Sequence, residues 1–390
     1  MSSSTSSSSP IGAALDATAV APWVSRKFVL RALLWPAVAV LLAEGVCRIV
    51  SPIYLENPDP SEVEVEAPGY RALRPNWTVH VNVGGKPVAA SINADGFRDD
   101  PFPAERSCLV VGVGNSFVAN WAIDRADFWS THLQERLAHG VPNQRCAVRS
   151  VGFQGWTLGE IDAALADRVL PQKPDVVVLV FNNLTMWSTT ALRLETADKA
   201  IQKWRETPHD KPQPVVQPAP SAMGRVIGLY NLLEGHSALL GTLKARIPML
   251  PMTLGLTQLA VPAIYRDAEF ATRRAPTLTS LDALHARITR QGAQFVLVLA
   301  PSLPETDSDV YDLMLAVFGG SERAIDAHRP AAALAVWAHA RSVPFVDLTP
   351  VLAGHVPSAM SYVDHHWNEV GNALAAELLE PIVRGQLQAR

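Results

Sequence analysis

Five short apolar runs, separated by helix-like segments, constrain the fold of this chain more than any other feature. The runs read CLVVGVG, AVRSVG, DVVVLVF, FVLVLA and PFVDLTP. Continuously apolar runs of this length are typical of strands buried on both faces, and their alternation with helices favours a parallel sheet. The sequence therefore predicts an α/β fold built on a doubly wound, parallel five-stranded sheet.

Helix signals lie between these runs. Thr157 and Glu160 have the spacing of a capping box, and Asn368 is placed to cap the last helix. From about 187 to 276 the alternation of strand and helix stops, while the flanks of that stretch look helical. We therefore predict a helical insertion over 187–276 that borders the functional site. Ahead of the main sheet, WTVHVNVGGKPVAASIN predicts a hairpin and so a small β extension.

The N-terminus has a different character from the rest of the chain. A Ser-rich tail over 1–25 precedes Arg26 and Lys27 and then an apolar stretch that ends near residue 50. Basic residues ahead of an apolar run predict a transmembrane signal anchor over 26–50 with its N-terminus in the cytoplasm. A cleaved signal peptide and a helix packed on the domain are the alternatives.

The next stretch, over 51–66, is rich in proline and acidic residues, which is typical of a linker. The main domain is then expected over 67–390. Its predicted location is extracytoplasmic, in a bacterial periplasm, with membrane association through the N-terminal helix alone.

Composition excludes some classes of function. The 390 residues carry a formal net charge of -4, which provides no basic excess for binding nucleic acid. The 3 cysteines are too few and too scattered for a zinc site or a disulfide framework. No cofactor and no structural metal are expected.

A candidate nucleophile lies just past the first apolar run, in LVVGVGNSFVANW. Ser116 follows Gly114, where the backbone can turn sharply and expose a hydroxyl at the carboxyl end of a strand. Ligands of open α/β sheets bind at that edge. The alternative is that Ser116 only caps the next helix.

A candidate base lies near the C-terminus, in MSYVDHHWNEVGNALAAELL. Asp364 and His366 are two positions apart, so in an extended segment their side chains share one side, and the carboxylate can orient the imidazole. His365 points the other way and is expected to be structural. A zinc site formed by Asp364 and the two histidines is the alternative, although no further ligand cluster completes it.

Other strand ends carry candidate donors for a developing oxyanion. Gly155 follows the second run, and Asn182 and Asn183 follow the third. Asn183 is preferred for the oxyanion hole and Asn182 for substrate binding. Trp156 and Trp187 lie near the same strand ends, where they are expected either to stack on a sugar or to belong to the core.

This order of Ser, Gly, Asn and His resembles the four sequence blocks of the SGNH (GDSL-like) hydrolase family. GNSF is similar to the first block, SVGFQG to the second and FNNL, more weakly, to the third. The ending D-x-H-W-N resembles the branch that includes bacterial polysaccharide O-acetylation enzymes. The resemblance implies a catalytic triad of Ser116, Asp364 and His366, and an oxyanion hole formed by Ser116, Gly155 and Asn183.

The resemblance also implies a function. It predicts a serine esterase or acyltransferase that forms an acyl-enzyme on Ser116, with O-acetyl groups of an extracytoplasmic glycan as the expected substrate. The alternative is an inactive, SGNH-like glycan-binding or polysaccharide-assembly protein. The family's strand order further places Cys108 and Cys146 side by side, either as a disulfide or as two buried thiols.

Overall fold

The computed structural model describes part of the chain, namely residues 26–50, 64–83, 86–121, 123–139, 146–207, 237–240, 262–318, 325–356, 358–360 and 366–389. Its strands are β1 (Glu64–Ala67), β2 (Tyr70–Leu73), β3 (Thr78–Val83), β4 (Lys86–Ser91), β5 (Cys108–Gly114), β6 (Cys146–Gly152), β7 (Val176–Asn182), β8 (Gln294–Ala300) and β9 (Phe345–Asp347).

The helices follow the same chain order. They are α1 (Arg26–Val50), α2 (Ser116–Ala119), α3 (Trp129–Ala138), α4 (Leu158–Ala164), α5 (Leu194–Glu206), α6 (Asp267–Arg290), α7 (Leu303–Thr306), α8 (Ser308–Phe318), α9 (Arg329–Ala340), α10 (Thr349–Ala353) and α11 (Glu369–Gln388).

The central sheet has the strand order β6-β5-β7-β8-β9, and all its pairs are parallel. Each of the five apolar runs forms one of these strands, so the predicted doubly wound, five-stranded sheet is confirmed. β5 lies between β6 and β7, so the chain places β6 on one side of β5 and the later strands on the other side. The direction in which strands are added therefore reverses at β5. In open α/β sheets, the crevice at such a reversal is where ligands bind.

Burial explains why these runs have no polar alternation. Every residue of β5, β6 and β7 is buried. Alternate side chains of each strand enter two separate apolar clusters, one shared with α4, α6 and α9 and the other with α3 and α11. Because helices cover both faces, most strand positions are apolar; Arg149 and Ser150 in β6 are buried polar exceptions.

The smaller predictions are also met. Thr157 and Glu160 form the expected capping box at the start of α4, and the Asn368 side chain accepts hydrogen bonds from the first N–H groups of α11. The predicted hairpin is the antiparallel pair β3 and β4. A second antiparallel pair, β1 and β2, begins inside the stretch predicted as a linker.

The described part of the predicted insertion consists of helices and of a loop over residues 187–193. It contains α5, a short turn over Ala263–Tyr265 and the first part of α6, which continues through Pro276 to Arg290. The predicted boundary at 276 therefore falls inside a helix. Residues 208–236 and 241–261 lie outside the described residues, as do the tail over 1–25 and most of the linker.

The stretch predicted as a signal anchor forms α1. The Glu44 carboxylate of this helix accepts hydrogen bonds from the Ser237 hydroxyl at 2.8 Å and from the backbone N–H of Leu239 at 2.9 Å. Among the described helices, none combines the length and the apolarity that crossing a membrane requires.

The two strand-initial cysteines are paired. Cys108 and Cys146 are register partners on β5 and β6, with a Cα–Cα distance of 4.5 Å, and they form a disulfide. This settles the choice that the sequence left between a disulfide and two buried thiols. Cys47, in α1, is the one free cysteine.

Candidate active site

The candidate site lies at the carboxyl ends of β5, β6 and β7. Gly114 and Gly152 end neighbouring strands in register. A Cβ atom on Gly152 would lie 2.7 Å from the Cβ of Val118, so glycine is required for α2 to cross the strand ends this closely. This close packing fixes the start of α2, and therefore Ser116, at the edge of the sheet.

Ser116 and His366 are brought together. The Nε2 atom of His366 lies 2.8 Å from the Ser116 hydroxyl oxygen, within hydrogen-bond distance. Ser116 is half-buried, and the Phe117 ring lies against the imidazole with 4.6 Å between ring centroids. The preceding residue, Asn115, caps α2 by accepting a hydrogen bond from the Phe117 N–H. Ser116 itself is therefore not the cap, which was its alternative role.

The residue after the histidine anchors it to α2. The Trp367 indole N–H lies 3.0 Å from the Phe117 carbonyl oxygen and 3.1 Å from Oδ1 of Asn120. Asn120 in turn donates to Oδ1 of Asn372 in α11 at 3.0 Å. The sequence analysis did not predict this anchoring role of Trp367, Asn120 and Asn372. The available signal was the position of Trp367 directly after His366.

The other two residues of the predicted base segment, Asp364 and His365, lie outside the described residues. The role of Asp364 as the group that orients His366 therefore stays a prediction. Within the part of the chain that the structure describes, no group of three or more His, Cys, Asp or Glu side chains is placed to hold a metal ion.

Ser116 and Gly155, whose backbone N–H groups are predicted to form the oxyanion hole, follow the neighbouring strands β5 and β6. Gly155 is exposed and has a φ of +69°, and a Cβ atom there would meet only the Arg71 guanidinium, at 3.8 Å. Its backbone is therefore open to close approach by a ligand. Ser116 is the first residue of α2, where N–H groups have no intrahelical partner.

The side chains of Asn182 and Asn183 are bonded within the protein. Both are 1% exposed. The Asn182 amide donates to the Ala300 carbonyl at 3.0 Å, and the Asn183 amide donates to Oε1 of Glu305 at 2.6 Å. Both side chains are thus buried and bonded within the protein, and the assignments of Asn183 to the oxyanion hole and of Asn182 to substrate binding stay predictions.

Glu305 is a buried carboxyl group that sequence reasoning missed. Besides the Asn183 amide, it accepts a 2.6 Å hydrogen bond from the Ser302 backbone N–H in the capping box of α7. Burial raises the pKa of Glu305, and the hydrogen bonds from Asn183 and Ser302 oppose that shift. The carboxyl group therefore links the ends of β7 and β8.

Trp156 and Trp187 are both buried and belong to the core. Trp156 is 0% exposed and donates its indole N–H to the Arg71 carbonyl at 2.9 Å. Trp187 is 4% exposed and donates to Oδ1 of Asn183. Of the two alternatives for these rings, stacking on a sugar or a place in the core, their burial supports the core.

Comparisons with known proteins gave similar solved structures only. No protein-family model matches the chain, and no curated protein matches it. An acetyl xylan esterase, AlAXEase, is 14% identical with a TM-score of 0.38, and the match covers 70% of this chain and 99% of that chain. A carbohydrate acetylesterase family member from Sinorhizobium meliloti is 14% identical with a TM-score of 0.37, covering 72% and 99%.

A lipase/acylhydrolase from Enterococcus faecalis is 13% identical with a TM-score of 0.35, and its match covers 72% of this chain and 96% of that chain. Because these identities and TM-scores are low, our description of the fold rests on the strand order and register of this chain alone. These features match the doubly wound sheet that the resemblance to SGNH hydrolases implies.

Proposed function

We propose that this protein is an SGNH-type serine esterase or O-acyltransferase that forms an acyl-enzyme on Ser116. The observation that supports the proposal most strongly is the 2.8 Å contact between His366 Nε2 and the Ser116 hydroxyl. A nucleophile and a base within hydrogen-bond reach, at the carboxyl edge of a parallel sheet, form the arrangement that acyl transfer requires.

The reaction follows from this geometry. His366 takes the hydroxyl proton as the Ser116 oxygen attacks the ester carbonyl, and the resulting oxyanion accepts hydrogen bonds from the backbone N–H groups of Ser116 and Gly155. The imidazolium then protonates the departing alcohol oxygen. In the second half, His366 deprotonates water or a sugar hydroxyl, which attacks the carbonyl carbon of the acyl-enzyme. The imidazolium then returns that proton to the departing Ser116 oxygen, which frees the acid or the acylated sugar. Asp364 is proposed to orient the imidazole.

An O-acetylated glycan is the proposed substrate, because a cavity of about 700 Å³ with many hydroxyl groups is lined by Thr185, whose hydroxyl is bonded to Asn115, the residue before Ser116. The cavity is also lined by Thr157, which is two residues from Gly155, and by Ser188, Thr190 and Thr196. Arg193 and Arg273 add charged donors. Such a lining offers hydrogen bonds to the hydroxyl groups of a sugar, and its apolar part, which includes Leu158 and Leu192, can pack against the sugar ring.

The proposed location is outside the cytoplasm. Arg26 and Lys27 ahead of the apolar stretch support an extracytoplasmic domain. The Cys108–Cys146 disulfide supports the same location, because such bonds persist in oxidising compartments.

Turnover of an aryl acetate tests the proposal. Wild-type protein should release the aryl alcohol, and Ser116→Ala should lose this activity while unfolding at the wild-type temperature. Adding an oligosaccharide acceptor separates transfer, which yields an acetylated sugar, from hydrolysis, which yields acetate. A folded wild type with no turnover would contradict the proposal, and glycan binding by that inactive protein would support the non-catalytic alternative.

A further inference from the structure

In the reaction proposed above, the oxyanion accepts hydrogen bonds from two backbone N–H groups, those of Ser116 and Gly155. Serine hydrolase sites present preorganised donors to the developing charge, and each is worth about 10² to 10³ in rate. Here the side-chain amides that follow β7 are buried and bonded elsewhere, as described for Asn182 and Asn183. Because both amides are also buried, an exposed residue is the better source of a side-chain donor on the β7 side of Ser116.

Thr185 is in the right place. It follows β7 by three residues, is exposed, and lines the hydroxyl-rich cavity. β7 is the direct neighbour of β5, and Gly114 pairs with Val180 in register. Ser116 therefore has Gly155 on its β6 side and Thr185 on its β7 side.

A hydrogen bond between side chains ties Thr185 to the residue before the nucleophile. The Nδ2 atom of Asn115 lies 2.7 Å from Oγ1 of Thr185. The orientation of the Asn115 amide is fixed, because its Oδ1 atom accepts from the Phe117 backbone N–H, which can only donate. The amide nitrogen must then face Thr185, so the threonine hydroxyl accepts this bond and keeps its own hydrogen.

We propose that the Thr185 hydroxyl donates that hydrogen to the oxyanion, and that Asn115 is the positioning residue that keeps it available. This inference rests on the proposed esterase function. An aspartate at position 115 would still cap α2, but its second carboxylate oxygen would face Thr185 as an acceptor. The hydroxyl would then donate to the carboxylate instead of to the oxyanion.

Substitutions at Thr185 test the donor. Thr185→Val removes the hydroxyl and nearly conserves the shape, so kcat for an aryl acetate should fall by about 10²-fold with little change in KM. Thr185→Ser keeps a hydroxyl and should retain most of the activity. The matched control is Thr289→Val at the exposed end of α6, which precedes β8 and thus lies at the opposite edge of the sheet. That variant should keep wild-type kcat.

A double-mutant cycle tests the positioning role. Asn115→Asp should lower kcat at least 10-fold in wild-type protein but have much less effect in the Thr185→Val background, since the hydroxyl it captures is already gone. If the two losses simply multiply, the new charge acts by itself, and the positioning role of Asn115 is wrong.

The failures of the two proposals are distinguishable. Wild-type kcat in Thr185→Val, with an active wild type that depends on Ser116, overturns the role of Thr185 and leaves the esterase function intact. A wild type without turnover overturns both. Equal losses in Thr185→Ser and Thr185→Val, in protein that unfolds at the wild-type temperature, also contradict the donor role.

Discussion

The Nε2 atom of His366 lies 2.8 Å from the Ser116 hydroxyl although 250 positions separate the two residues in the chain. Ser116 is fixed by the end of β5, and His366 by the start of the last helix, α11. The contact therefore depends on the folded domain, through the packing of α2 against the strand ends and the hydrogen bonds of Trp367 to α2.

Removal of the imidazole should abolish activity. We expect His366→Ala to lower kcat for an aryl acetate by about 10⁴-fold or more, because no other described group is shown to take the Ser116 proton. Steady-state kinetics on purified protein measure this loss. His365→Ala should retain most of the activity, since the sequence places that side chain on the other side of the segment. The reverse pattern would show that His365 is the base.

The indole N–H of Trp367 should matter for the position of the histidine. Trp367→Phe keeps a large ring but loses the donor to Phe117 and Asn120, so kcat should fall roughly 10-fold, and the free energy of unfolding should fall by about 1–2 kcal/mol. The control is Trp337→Phe, which removes an indole bond to Asp282 in the α6–α9 contact. It should cost stability but leave kcat unchanged; an equal loss of kcat in both variants would refute the positioning role.

The sequence predicted the sheet well, because strands that are buried on both faces appear in the sequence as short apolar runs. In a strand such as β7, every residue is buried, and residues 176–181 are all apolar, with Asn182 at the end of the strand. The order of the strands cannot be read from such a local pattern. It depends on contacts between segments that are distant in the sequence, such as the pairing of β5 with both β6 and β7.

The site was predicted less completely, and the reason is again burial. Ser116 and Gly155 carry local turn signals, but Asn182 and Asn183 differ from surface amides only through distant partners such as Glu305. The same holds for Trp156, which is an aromatic residue near a strand end in the sequence and a core residue in the fold. Thr185 had no sequence signal, since its role depends on the contact with Asn115.

The disulfide predicts a thiol count and a stability change. Denatured, unreduced protein should react with a thiol reagent at one residue, Cys47, and reduction should raise the count to three. The double substitution of Cys108 and Cys146 by alanine should lower the free energy of unfolding by about 2–4 kcal/mol. Three reactive thiols in protein purified from an oxidising compartment would contradict the bond.

A buried carboxyl group should make stability depend on pH. Burial raises the pKa of Asp162 to about 6, although the Arg287 guanidinium at 2.7 Å opposes the shift. The folded state holds this proton more tightly than the unfolded chain, whose Asp has a pKa of about 3.9. The contribution of Asp162 to stability is therefore greatest below about pH 4 and is lost as pH rises through about 6.

Asp162→Asn should remove this dependence, which has an upper limit of about 3 kcal/mol. Denaturant unfolding at several pH values measures it as the slope of the unfolding free energy between about pH 4 and 7. Asp198→Asn removes an exposed carboxylate from the same arginine and should keep most of the slope. A wild-type slope in Asp162→Asn would show that other groups cause the pH dependence.

The most direct test of the central claim is covalent labelling with a fluorophosphonate, which reacts with a serine hydroxyl activated by a neighbouring base. Folded wild-type protein should take up one equivalent of the probe, and mass spectrometry of the digested protein should locate it on Ser116. His366→Ala should label far more slowly, and Ser116→Ala should not label. A folded wild type that takes up no probe, or takes it up at another residue, would contradict Ser116 as the nucleophile.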